Sequence, residues 1–122
     1  MSFERTLSIF DELEEEINED VRKTSLSLLN GLTLRTPVDT GRARGNWQVS
    51  PSDKSNRSVD EFRKAAQAIR EGTATINSVI SQRGFPTITI SNNLPYIEKL
   101  NEGSSLQAPA KFVELEIQRV TR

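Results

Sequence analysis

From Ser2 onward, Phe3, Leu7, Phe10, Leu13, Ile17, Val21, Leu28 and Leu32 recur at three-, four- and seven-residue steps. That is the period of a helix with one apolar stripe. Arg5, Glu12, Glu15, Glu16, Glu19, Arg22 and Lys23 fall on the other face, and Ser2 suits an N-cap. Acidic residues precede basic ones along the segment, an order that suits the helix dipole. In the last turns Leu26, Leu29 and Leu34 leave the stripe, so the apolar surface widens just before Pro37. One core-facing side cannot use all three. Either the end of the helix is deeply buried or it also touches another subunit, which makes Leu26, Leu29 and Leu34 candidate interface residues.

Pro37 disfavours a helical Thr36 and stops the helix. Asp39-Thr40-Gly41 then reads as a turn, because the Asp side chain can accept from backbone amides two residues on and Gly41 can take positive φ. Asn46 to Ser50 follows as a short alternating strand with Trp47, the chain's one tryptophan, and Val49 on one face. Trp47 is the expected anchor of the core. Pro51 to Arg57 is polar and aperiodic and reads as a mobile loop.

Ser58 and Glu61 have capping-box spacing, and Phe62, Ala65, Ile69, Gly72, Ile76, Val79 and Ile80 keep one helical phase. The pattern predicts a second long helix from about Val59 to Ile80. Gly72 lies on its buried stripe, where a glycine either breaks a helix or admits a close neighbour. After a turn at Arg83 to Pro86, Thr87 to Ser91 alternates as a strand with Ile88 and Ile90 inward, an antiparallel partner for the Trp47 strand. Asn92 to Pro95 turns again, Pro95 opens a short helix Tyr96 to Leu100 that ends at Gly103, and Ser104 to Pro109 is a loop. The last segment is ambiguous by pattern. Val113, Ile117 and Val120 fit a helix face, with Phe112 and Leu115 opposite, whereas Val113, Leu115 and Ile117 fit a strand.

Composition narrows the function more than the fold. The 122 residues suit one domain, 1–122, and 34% hydrophobic against 27% charged is lean, as in a subunit that completes its burial against neighbours. Sixteen basic against 17 acidic residues give no bulk pull toward nucleic acid or anionic membrane. There is no cysteine and no histidine, which excludes disulfides, thiolate metal sites and the commonest general base. Without them a nucleophile, base and orienter could come only from Lys, Ser and carboxylates, and no motif arranges these, so neither an enzyme nor a cofactor is expected. The chain opens without an apolar signal core and has no run of membrane-spanning length, so a cytoplasmic setting with no membrane partner is expected.

Two groups of charges could carry chemistry. The acidic run Asp11 to Glu16 could supply a carboxylate pair or hold a hard cation, but on a helix most of these groups point to solvent. Arg42 and Arg44, with Lys54 and Arg57, could contact phosphates. Nothing aromatic is interleaved to stack on bases, and pairing with local carboxylates such as Asp39 is the favoured reading.

Two stretches together, Thr36 to Trp47 (TPVDTGRARGNW) and Ser91 to Ala110 (SNNLPYIEKLNEGSSLQAPA), resemble the neck or tail-completion proteins of tailed bacteriophages. The order, spacing and chain length all match that family. The resemblance implies that Pro37, Asp39, Thr40, Gly41 and Arg42 shape the first turn and that Trp47 anchors the sheet. It implies likewise that Asn92, Asn93, Pro95, Tyr96, Glu102 and Gly103, with Gln107 and Pro109 of the following loop, shape the second turn and short helix. Ala43 and Ala110 stand where the family often has Leu and Gly; the second change suggests that the C-terminal helix starts at once. The resemblance also makes the last segment a helix and Phe112 and Leu115 inter-subunit contacts.

The expected fold class is then α+β: a long N-terminal helix, a second long helix and a C-terminal helix packed on a small antiparallel sheet. The implied function is that of a structural virion protein at the head-to-tail junction, assembled in the host cytoplasm. It would form a homo-oligomeric ring between the head connector proteins and the tail terminator or tail tube, with DNA only passing through the lumen. A tail terminator that caps the tube is the alternative within structural proteins. A small nucleic-acid-binding module is the alternative outside them.

Overall fold

The computed structural model describes residues 3–37, 42–51, 64–82, 87–94, 97–103 and 110–121, with the side chains of residues 3–10 and of Arg42 outside that description. In chain order the elements are α1 (Phe3–Arg35), α2 (Arg42–Gly45), β1 (Trp47–Ser50), α3 (Ala65–Ile80), β2 (Thr89–Asn92), α4 (Ile97–Asn101) and α5 (Phe112–Val120). The fold is α+β, mostly helical, with one two-stranded antiparallel sheet.

α1 is 33 residues long, about 50 Å at ~1.5 Å per residue. No proline interrupts it, and the turn at Thr36-Pro37 ends it. Its buried residues are Ser25, Leu29, Leu32 and Thr33, whereas none between Asp11 and Thr24 is buried. Leu13 and Ile17 of the predicted stripe are 47% and 43% exposed. Among the described side chains the stripe therefore has a core beneath it only in the C-terminal third of α1, because the other elements gather there.

The widened apolar end of α1 is used within the chain. α3 packs along one side of it and α5 along another. Leu29, expected at a subunit interface, is fully buried in the core with Trp47, Ile76 and Phe112, and Leu26 packs against the same cluster. Phe112, also expected outside, is 2% exposed. Complete burial of a side chain such as Leu29 or Ile76 contributes about 1.5–3 kcal/mol. Only Leu34 and Leu115 of the five expected interface residues are exposed, at 55% and 50%.

α3 starts later than the sequence pattern predicts. Lys64 is extended (φ −82°, ψ 155°), so the helix begins at Ala65, and the Ser58–Glu61 cap lies outside the described residues. Periodicity of apolar residues does not report the φ and ψ of a single position, so the extended Lys64 left no mark in the pattern. The helix runs unbroken through Gly72, where a Cβ would lie 2.5 Å from Leu29 Cδ2 and 2.9 Å from Val49 Cγ2. The glycine is the notch that admits those side chains.

β1 and β2 pair in the register Trp47↔Asn92, Gln48↔Ser91, Val49↔Ile90 and Ser50↔Thr89. The predicted pairing is present, with β2 displaced toward Asn92. Ile88 and Ile90 are half-buried, while Gln48 and Ser91 on the other face are buried, so alternation does not sort an inner face from an outer one. Of the expected mobile loop, Pro51 is exposed and residues 52–57 lie outside the described residues.

α5 is a helix, but it does not start at Ala110. Lys111 adopts the left-handed conformation (φ 60°), and the helix begins at Phe112. Its start is fixed by Asn101, the last residue of α4. Asn101 Oδ1 accepts from the Val113 N–H at 2.9 Å, its carbonyl accepts from Lys111 N–H, and its amide donates to the Glu114 carboxylate at 3.0 Å. A side chain borrowed from α4 thus satisfies a first-turn amide that α5 itself leaves open. The buried face is Phe112 and Glu116, with Val113 half-buried, whereas Ile117 of the predicted face is 41% exposed.

Candidate functional site

The two motif stretches meet at one corner. Thr36 is fully buried at the end of α1; its N–H and its hydroxyl both donate to the Leu32 carbonyl, at 3.1 and 2.5 Å. The same hydroxyl accepts from the indole Nε1 of Trp47 at 2.8 Å. Arg44 donates from Nη2 to the Leu34 carbonyl at 2.7 Å and from Nε to the Thr36 carbonyl at 3.0 Å. The carbonyls that a helix end leaves unpaired are therefore taken up by the residues that follow it. Asn92 closes the corner from the second stretch: its amide donates to the Ala43 carbonyl at 2.9 Å, and its Oδ1 accepts from the Leu94 N–H at 3.1 Å.

Arg44 thus holds two backbone carbonyls, because the α1 terminus sits within reach of its guanidinium; the expected pairing with Asp39 falls outside the described residues. Pro37 is buried, and Trp47 is 5% exposed within the core. Asn93 is half-buried, Glu102 is exposed, and Gly103 has φ +99°, a conformation that suits glycine where α4 ends. Asp39, Thr40, Gly41, Pro95, Tyr96, Gln107 and Pro109 lie outside the described residues, as do Lys54 and Arg57 and the side chain of Arg42.

A second cluster has no counterpart in the sequence reading. Glu116 of α5 is buried at 2% exposure, pressed against Gly31 of α1, where any Cβ would overlap its carboxylate. Arg35 Nε lies 2.6 Å from Glu116 Oε2, and Arg119 donates to both carboxylate oxygens from Nε at 3.1 Å, with Nη2 also on Oε1. The Arg119 hydrogen bond first, then the charges of Arg119 and Arg35, hold the Glu116 carboxyl below its ordinary value in spite of the desolvation that opposes them. The one legible signal was the Glu116–Arg119 spacing on a helix, together with the lone glycine inside α1.

Above this pair lies an open groove of about 610 Å³ lined by Leu26, Ser27, Asn30, Gly31, Leu34, Arg35 and Arg119. Beyond it, the half of α1 from Asp11 to Thr24 carries exposed Leu13 and Ile17 among exposed Asp11, Glu12, Glu15, Glu16 and Asp20. The acidic run is a solvent face. Among the described residues no group of three or more acidic or other ligating side chains is placed to hold a metal ion, and no helix is long and apolar enough to cross a membrane. What the arrangement offers is surface: apolar residues left uncovered on α1 and α5, and a charged groove between those helices.

No protein-family model, curated protein or solved structure matches this chain.

Proposed function

We propose that the chain is a structural subunit of a bacteriophage neck, which self-associates into a ring joining the head connector to the tail and lets DNA pass through the lumen. The role is geometric. The observation that carries it is the uncovered apolar surface of a long helix: Leu13 and Ile17 project from a half of α1 that has no buried residue between Asp11 and Thr24. A long helix standing clear of its own core serves a subunit that meets neighbours. The hydrogen-bonded corner of Thr36, Arg44, Trp47 and Asn92 supports the reading as well, since it gives the two stretches that resemble the neck family a common structural task.

Sedimentation velocity and electron microscopy across a concentration series test the proposal. Closed particles with a central opening are expected, formed by the protein alone or on addition of connector proteins. A chain that stays monomeric and binds neither connector nor tail proteins overturns it.

A further inference from the structure

The groove between α1 and α5 and the free half of α1 have complementary surfaces. The groove has apolar Leu26 and Leu34, with Arg35 and Arg119 at its rim. Those two guanidiniums are 57% and 53% exposed and share one buried carboxylate, Glu116, which leaves a positive charge over. Its described lining residues include no carboxylate. The free half of α1 is the reverse. Residues 11–20 hold Asp11, Glu12, Glu14, Glu15, Glu16, Glu19 and Asp20 and no basic residue. Leu13 and Ile17 stand one turn apart on this acidic face, and at ~100° per residue Glu16 and Asp20 lie only about 60° and about 20° around the helix from Leu13.

Both surfaces belong to one continuous helix, with their centres about 20 Å apart along its axis at ~1.5 Å per residue. A straight helix cannot fold back on itself, so no copy can fill its own groove. We infer that the groove takes the Leu13–Asp20 segment of α1 from a second copy of this chain, with Leu13 and Ile17 seated beside Leu26 and Leu34 and with Glu16 and Asp20 against Arg35 and Arg119. The two patches differ, so the contact is head-to-tail, the kind that closes into a ring when the rotation between copies permits. The inference rests on the ring reading above and supplies its contact.

The absence of cysteine makes the test clean. Ile17→Cys and Leu34→Cys are exposed-site substitutions that can be made in separate proteins, mixed and oxidised. A disulfide-linked dimer is expected in the mixture, about tenfold above either protein alone, because the bond forms only where Cα atoms come within ~7 Å. Glu16→Lys with Asp20→Lys, and separately Leu34→Glu, are each expected to weaken self-association about tenfold or more, with the fluorescence of buried Trp47 showing the core retained. Efficient cross-linking of Ile17→Cys to itself, or variants that assemble as well as the parent, overturns the groove contact and leaves the ring reading standing. A parent chain that is monomeric at every concentration and binds no connector or tail protein overturns both.

Discussion

The indole N–H of Trp47 is held at 2.8 Å by the hydroxyl of Thr36, eleven residues earlier, and that hydroxyl donates in turn to the carbonyl of Leu32. Both groups are buried, and the hydroxyl links the end of α1 to the start of β1 as acceptor and donor at once. Thr36→Val keeps the shape and removes both bonds. A buried donor left unpaired costs about 1–3 kcal/mol, and Thr36→Ser is expected to recover most of it. Denaturant unfolding followed by the fluorescence of Trp47 measures the loss; equal stability of the Val and Ser variants would refute the role.

Arg44 ties the same corner through carbonyls. Arg44→Met is expected to cost about 1.5–3 kcal/mol, the range for hydrogen bonds from a charged donor. Lysine is expected to restore only part, because an ammonium cannot reproduce the forked reach to Leu34 and Thr36. Both partners among the described residues are uncharged. The Arg44→Met penalty should therefore stay nearly constant between low and high salt, and a penalty that vanishes in salt would point to a carboxylate partner instead.

Glu116 gives the fold an acid sensitivity that can be signed. Its carboxyl is held below the ordinary 4.5 by the Arg119 hydrogen bond and the two arginine charges, so the unfolded chain takes up the proton more readily. The stabilisation is full above the unfolded value and drains as pH falls through the lowered one. Glu116→Gln is expected to lower the urea midpoint at neutral pH and to flatten the decline below about pH 4. An unchanged acid limb would place the sensitivity elsewhere.

Gly31 and Gly72 are expected to resist alanine for opposite neighbours. In an open helix Gly→Ala gains about 1 kcal/mol, yet at Gly31 the methyl would displace a charged carboxylate and at Gly72 it would meet Leu29 Cδ2. Overpacking of that kind costs about 1–3 kcal/mol. Leu29→Ala with Gly72→Ala is expected to be less destabilising than the sum of the two single changes, since the new methyl enters the space that the leucine leaves. Strict additivity in chemical denaturation would rule out the contact.

The sequence was most legible where a local rule and the tertiary structure agree. Pro37 stops α1, the alternation around Trp47 and Ile90 marks the pairing of the strands, and the phase through Gly72 holds in α3. Periodicity could not say which part of a long stripe has a core beneath it. Leu13 and Leu32 lie on the same stripe, yet one is exposed and the other buried, because burial depends on where α3 and α5 dock. Glu116 was missed for a related reason. A carboxylate on a helix reads as a solvent group until a glycine on another helix and two arginines from different elements converge on it.

The free half of α1 finally makes folding and association parts of one equilibrium. A helical stretch without tertiary packing is marginal in water at this length, and here Glu12 and Glu16, Glu15 and Glu19, and Glu16 and Asp20 repel at four-residue spacing. A neighbour that supplies apolar contact and positive charge relieves both deficits. The helical signal of the chain is therefore expected to rise with occupancy, so that circular dichroism counts filled neighbours and an isolated subunit keeps part of its folding free energy in reserve for the particle it joins.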